Sequence, residues 1–378
     1  MTHSRLSPSK AVTWVNCPGS VNLSALFPDS GPSEAAAEGT ASHHVASEVL
    51  LCERPAPKVG DKAPNGVILN MEMVESAWVY IDVVRRVSLR QPMRVEQHMQ
   101  IPRIHPEVHG TPDCWFYSPA QRELHVFDYK YGFGIVEPYM NWQLITYAIG
   151  ALELSGIDGH EDHQTTVVLH IVQPRPFHVA GAHREWRVLA SDLRGHANGL
   201  RFAAEKALGP NPEVSCGKHC QYCSARHACP SLQRAVMDAA DYALAARPEV
   251  LDPAAMGLEY RTLERIEALL KARKSGLAAS MEALIKAGTA IPGWLLQQGN
   301  GRAAWNKPAA EIFALGDLMG LDLRAAPEAI TPAAAIKAGI PKEVVQAFSE
   351  TPISGTKLVA SESTLASRVF RAEMPSLV

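Results

Sequence analysis

Apolar positions change their period repeatedly along the N-terminal half of the chain. In NMEMVESAWVYIDVVRRVSLR they recur at helical spacing, through Met73, Trp78, Ile81, Val84 and Val87, which predicts one amphipathic helix. MRVEQHMQIP alternates instead, as a strand does, and GTPDCWFYSP and ELHVFDYKYG read as two strands joined by a short polar turn. A helix over EPYMNWQLITYAIGALELSG ends at Gly156. QTTVVLHIVQPR is β-branched and continuously apolar, which marks a strand buried on both faces. LASDLRGHANGLRFAAEKALG returns to helical spacing. Upstream, LSPSKAVTWVNCPGS holds a short helix stopped by Pro18 and Gly19, and SEAAAEGTASHHVASEVLLCE holds another that Gly39 weakens or divides. The order (helices, three strands, helix, strand, helix) predicts an α/β fold with a mixed central sheet flanked by helices.

Past this core come the cysteine-rich CGKHCQYCSARHACPS and a helix to about Leu244. A long alanine-rich helix then starts at Pro253, with Asp252 as its N-cap. The tail is rich in Ala and Pro, with short strand-like pieces such as GWLLQQGNGRAAW, and no fixed-period repeat is found. These shifts place a boundary near residue 235, between a unit 1–235 closed by the cysteines and a mainly helical region 236–378 with no readable chemistry.

Composition narrows the class only slightly. A hydrophobic fraction of 47% and a charged fraction of 20% are those of a globular protein. The apolar runs are too short to span a bilayer, and MTHSRLSPSKAV lacks the apolar core of a secretory signal. A cytoplasmic protein without membrane attachment is expected. The net charge of −3 neither announces nor excludes a nucleic-acid partner, because metal-binding carboxylates offset a basic cleft in the sum. Arg85, Arg86, Arg90 and Arg94 lie near the core, and Arg265, Lys271, Arg273 and Lys274 lie on the long helix, as a solvated face or a lining for DNA. The odd count of seven cysteines argues against a disulfide framework. Cys216, Cys220, Cys223 and Cys229 fall within fourteen residues, a density that points to metal or cluster ligation, whereas Cys52 and Cys114 read as small buried hydrophobes.

The candidate chemistry centres on Asp113 and Asp128-Tyr129-Lys130. On a strand Asp128 and Lys130 share one face and Tyr129 takes the other. Alone, that triplet is an ordinary ion pair at a strand end. If the two strands pair antiparallel through the turn at Ser118 to Arg122, however, Asp113 and Asp128 meet at the open end. Adjacent carboxylates repel and raise each other's pKa unless a cation holds them, and oxygen ligation suits Mg²⁺ or Mn²⁺. Helical spacing puts Gln143 and Tyr147 on one face of the following helix. Glu96, in the strand before Gly110, is a further carboxylate that could approach the site.

GTPD, a strand, DYK and a helix with Gln143 and Tyr147 together resemble the PD-(D/E)XK nuclease superfamily. More narrowly they are similar to its RecB-like branch, which includes the CRISPR-associated adaptation exonucleases. The upstream Gly39-Thr40-Ala41-Ser42-His43 matches that branch's Gly-Thr-x-x-His helix, while His44 has no counterpart. The resemblance implies a restriction-endonuclease-like core and two-metal hydrolysis of DNA phosphodiesters. In it His43, Asp113, Asp128 and the backbone carbonyl of Tyr129 hold the metal, Lys130 positions water or neutralises the transition state, and Gln143 and Tyr147 face the site. It also implies a [4Fe–4S] cluster on Cys17, Cys220, Cys223 and Cys229, one cysteine before the core and three after it, with Cys216 left over. Read from spacing alone, Cys216 could instead complete a four-sulfur zinc knuckle.

LSPSKAVTWVNCPGS, GWLLQQGNGRAAW and GTKLVASESTLASR resemble pieces of phage-encoded members of this branch. That resemblance implies an exonuclease processing DNA ends in the host cytoplasm, with a single-strand annealing recombination protein as partner. Two other readings stay open: a catalytically silent nucleic-acid-binding or assembly protein on the same fold, and a zinc-stabilised structural module.

Overall fold

The computed structural model describes residues 4–27, 33–51, 55–89, 91–157, 159, 161–244, 252–300, 304–305, 309–324, 331–350 and 353–360. Cys52, Arg90 and the end of GTKLVASESTLASR lie outside them. The chain divides into two compact units, Met1–Leu277 and Ala278–Val378.

In the first unit, α1 (Ala11–Asn16), α2 (Ser20–Leu26), α3 (Glu34–Leu51) and α4 (Met71–Ser88) precede the short strands β1 (Arg94–Val95), β2 (Met99–Gln100) and β3 (His109–Gly110). Then come β4 (Cys114–Ser118), β5 (Glu123–Tyr129), α5 (Trp142–Leu154), β6 (Thr166–Val172), β7 (His183–Leu189) and α6 (Ala190–Leu208). The central sheet has the order β1-β4-β5-β6-β7. All its neighbours pair antiparallel except β5 and β6, which run parallel across the α5 connection. The fold is the mixed sheet flanked by helices that the periodicity predicts.

Side-chain alternation assigns each strand residue to a layer. Trp115, Leu124, Val126, Val167, Leu169 and Ile171 pack with α1, α5 and α6 on one face. Cys114, Phe116, Phe127, Tyr129 and Val172 pack with α3 and α4 on the other. β6 is buried on both faces because both layers cover it, with His170 as a polar side chain inside.

Several local expectations are revised. Gly39 does not divide α3, which runs unbroken from Glu34 to Leu51. MRVEQHMQIP is two short strands, not one, because Glu96 takes a left-handed φ of 48° that ends β1. HREWRVL, assigned no element from sequence, is the edge strand β7. Its charged residues obscure the alternation of Trp186 and Val188, which pack against the core.

After the cysteines, α7 (Pro230–Leu244) and α8 (Pro253–Lys286) follow. The Asp252 side chain accepts from Ala254 N and Ala255 N, as its N-cap position predicts. The division between units falls inside α8, beyond the boundary expected near residue 235. The reason is packing: Leu269 and Ala272 of α8 are buried with Cys220, Cys229 and Leu232. In the second unit, β8 (Trp294–Asn300) pairs antiparallel with a strand at Ile353–Ala360, and Ile312, Leu323, Ala335, Ile340 and Val345 form a small core of their own. Among the described residues no helix is long and apolar enough to cross a membrane.

Candidate functional site

The β4–β5 hairpin pairs Cys114 with Phe127, so its next residues, Asp113 and Asp128, stand side by side at the open end. Each aspartate has its own set of partners. Asp113 Oδ2 accepts from Tyr129 N at 2.6 Å, and Asp113 Oδ1 lies 3.3 Å from His43 Nδ1, which α3 brings from the opposite layer. Glu96 N donates to the Asp113 carbonyl at 3.1 Å. The ligating atoms of His43, Glu96 and Asp113 all lie within 4.8 Å of one another. Asp128 Oδ1 accepts from Gln143 Nε2 at 2.8 Å, and Lys130 Nζ donates to Gln143 Oε1 at 3.0 Å. Lys130 Nζ also forms an ion pair with the buried Asp128 Oδ2 at 3.0 Å. Gln143 thus fixes both carboxylate and ammonium, and Asn141 Oδ1 caps the helix that carries it, accepting from Gln143 N and Leu144 N.

The Tyr129 side chain faces the other layer. Its hydroxyl shares a 2.7 Å hydrogen bond with Ser42, and its ring lies against Tyr80 and His43. In a strand the N–H and C=O of one residue face the same neighbour. The Tyr129 carbonyl therefore faces the side of Asp113, which its own amide binds. Burial raises the pKa of Tyr147, and the charges of Asp113 and Asp128 add to that rise. Its hydroxyl lies under the Gly-Thr-Pro turn: a Cβ on Gly110 would meet Tyr147 Oη at 2.9 Å and Pro8 Cδ at 2.9 Å. Only glycine fits there, and the turn aims Asp113. His44 pairs with Glu48 on its own helix at 3.9 Å.

Proton affinities follow from this crowding. Burial pushes Asp128 up to about 6, with Lys130 opposing and Asp113 assisting. Crowding and the Asp113 charge push Glu96 up to about 7 although its surface is exposed, with His43 in opposition. For Asp113 burial acts upward too, but His43, the Tyr129 amide and Lys130 outweigh it and hold the carboxyl below its ordinary value. His43 and Lys130 are both raised, because the surrounding carboxylates overcome burial. Three carboxylates at such range resist full ionisation, and a further cation would ease it. Asp113, Glu96 and His43, with the Asp128 carboxylate beside them, suit an oxygen-seeking divalent ion.

Sequence reasoning missed Gln173 here. It is fully buried at the end of β6 and donates to the carbonyls of Gly132 and Gly134 at 2.7 and 2.8 Å, ordering the segment after Lys130. A lone amide closing an apolar strand is the signal that could have exposed it.

Residues 3–338 match the family DUF2800, described as a protein of unknown function. The chain belongs to the DUF2800 family. In this DUF2800 chain the cysteines of the first unit also converge. Cys17, Cys220, Cys223 and Cys229 are buried and line one small hollow with Thr13, Ser20, Leu23, Ser215, His219, Arg226 and Leu232. Two close approaches join the distant segments. Gly19 N donates to the Glu213 carbonyl at 2.7 Å, and a Cβ on Gly19 would stand 2.5 Å from Val214. On the far side a Cβ on Gly276 of α8 would stand 2.5 Å from Arg226 Cγ. Arg273, one of the candidate DNA-facing charges, donates instead to the carbonyls of Arg226 and His227. Burial, then Cys220 and Cys229, pushes Cys216 up to about 12, so it stands beside the other thiols. Four sulfurs around one closed, largely apolar hollow fit a thiolate-held cluster or ion. Cys114 is buried in the core, as its apolar context predicts.

Proposed function

We propose that this protein is a metal-dependent DNA nuclease of the PD-(D/E)XK type, acting on DNA ends. The observation that carries the reading is the convergence, at one sheet end, of Asp113 with His43 and Glu96 and of the hydrogen-bonded trio Asp128, Gln143 and Lys130. Sequence resemblance alone gives these residues roles; their convergence at one sheet end supports those roles physically. Asp113, Asp128, Glu96, His43 and the Tyr129 carbonyl would hold Mg²⁺ or Mn²⁺. Such ions, when bound, polarise a phosphodiester and acidify a water. Lys130 stays cationic beside two carboxylates, so it suits stabilising charge on the phosphate and orienting water better than removing a proton. Gln143 is a positioning residue that holds Asp128 Oδ1 through its amide nitrogen and Lys130 Nζ through its amide oxygen.

The parallel pairing of β5 and β6 supports a nucleic-acid substrate as well. The segments that follow these strands leave the sheet at the same end as Asp128 and Lys130. They expose Phe177, 90% accessible, as a face on which an unpaired base can stack, and Phe133 and Tyr139, one ring covered on one side by Arg175 and the other packed edge-on with Trp186. The cysteine hollow would hold the [4Fe–4S] cluster, or zinc, and tie Cys17 to the chain after the core. End-processing for recombination, beside an annealing protein, is the corresponding role.

The test is digestion of duplex and single-stranded DNA labelled at either end, with Mg²⁺ or Mn²⁺. Nucleotides released progressively from an end, and lost in Asp113→Asn and Lys130→Met, support the reading. Binding without cleavage by the cluster-loaded protein would favour the silent binding protein instead.

A further inference from the structure

On the face of β5 opposite Asp128, three histidines from three neighbouring strands form one row. His125 Nδ1 lies 3.0 Å from His170 Nε2, and His170 Nδ1 lies 2.9 Å from His183 Nε2. Glu123 Oε2 stands 3.3 Å from His125 Nε2 at one end, and Glu185 Oε2 stands 3.8 Å from His170 Nδ1 at the other. The strand register sets Glu185 directly across from His170. The rings cannot turn freely: Phe127 stacks on His170 at 4.2 Å and Phe116 on His125 at 4.6 Å.

A neutral imidazole donates from one nitrogen and accepts at the other. With His125 donating to Glu123, its Nδ1 accepts from His170 Nε2. That fixes the His170 tautomer and leaves its Nδ1 lone pair directed at His183 and Glu185. We propose that His170 Nδ1, His183 Nε2 and Glu185 Oε2 form a binding site for one divalent first-row transition ion, with Zn²⁺ as the reference. One ligand atom from each of these residues lies within 4.8 Å of the other two. A tetrahedral ion with bonds of about 2.1 Å holds its ligands roughly 3.4 Å apart, so the pair at 2.9 Å opens only slightly. The backing is that of a ligating histidine, whose second N–H is oriented by an outer partner, here His125 and then Glu123. Arg187 does not block the site: it takes Oε1 of both Glu123 and Glu185 and leaves Oε2 of each to the histidines.

Two nitrogens and one oxygen favour zinc-like ions over Mg²⁺, which separates this group from the oxygen-rich one around Asp113. His170 is fully buried, whereas His183 is half-buried and Glu185 exposed, so an ion enters from their side. Once bound it ties the edge strand β7 to β6.

The experiment titrates Zn²⁺ into full-length protein with its cysteine group loaded and Mg²⁺ in excess, against a chromophoric chelator. Wild type and Asp113→Asn should bind the same zinc equivalent. His183→Ala should weaken it about 100-fold or more, and Glu185→Gln about 10-fold. Circular dichroism confirms folding; Glu185→Gln, whose side chain is exposed, decides the matter if His183→Ala does not fold. Isotherms that superimpose for the wild type and the folded variants overturn the site. So does a zinc equivalent that vanishes with Asp113→Asn and persists in His183→Ala.

Discussion

The open end of the β4–β5 hairpin and the cysteine hollow handle polar ligands in opposite ways. At the hairpin the charges are crowded, half-exposed and unbalanced, with Asp128 and Glu96 pushed toward neutrality. In the hollow the thiols are enclosed by Leu23, Leu232 and neighbouring helices. The first arrangement leaves protons and counter-ions exchangeable, which catalysis requires. The second excludes solvent and joins chain segments far apart in sequence, which stabilises. On the proposed reading, one chain keeps reactivity and cohesion in separate places.

Variants that strike one region and spare the other test that separation most strongly. Asp128→Asn should lower cleavage by roughly a thousandfold while iron or zinc content stays unchanged; metal analysis beside the nuclease assay measures both. Cys17→Ala should do the reverse in order of cause. Metal is lost first and stability falls by several kcal/mol, on the order of 10 °C in Tm. An Asp128→Asn protein that lost its cysteine-bound metal would break the comparison.

Two glycines give a smaller contrast. A Cβ on Gly276 meets Arg226 Cγ and the His227 backbone, and one on Gly110 meets Pro8 and Tyr147. Each alanine substitution should cost about 1–3 kcal/mol by overpacking. Gly110→Ala should also reduce cleavage by shifting Asp113, whereas Gly276→Ala should weaken metal retention; denaturant melts with both assays separate the two.

The smallest effect is a pH dependence of the metal-free hairpin end. Asp128 and Glu96 have folded pKa values raised to about 6 and about 7. The folded state therefore binds more protons than the unfolded one between the ordinary carboxylate range and these values. Their contribution is present at low pH and is lost as pH rises through 6 to 7. Tm should fall by a few degrees across that interval, and Mg²⁺ should flatten the fall. Asp113, held low, acts in the opposite sense only in more acidic solution. A Tm that rises over the same interval, with Mg²⁺ absent, would contradict the assigned shifts.

Much of the core was legible because its signals are local. The helix over Met71–Ser88 and the buried strand Thr166–Val172 follow from residues within a few positions of one another. The hairpin that brings Asp113 to Asp128 follows from two strands and a short turn. Long-range events left weaker traces. Glu96 breaks its strand through a backbone angle that no side-chain pattern encodes. The edge strand His183–Leu189 looks like a charged loop until Trp186 and Val188 meet the core.

The sequence by itself determined the order of the main helices and of the buried strands β4, β5 and β6, and the residue types at the hairpin end. Periodicity and spacing are properties of neighbours in the chain. Only the tertiary structure decided that Glu96 and His43 reach Asp113, that Tyr147 supports the turn at Gly110, and that α8 seals the cysteine hollow at Gly276. It also aligned His125, His170 and His183 across three strands. These are contacts between segments remote in sequence, and they depend on register and close packing, which no local pattern of polar and apolar residues specifies.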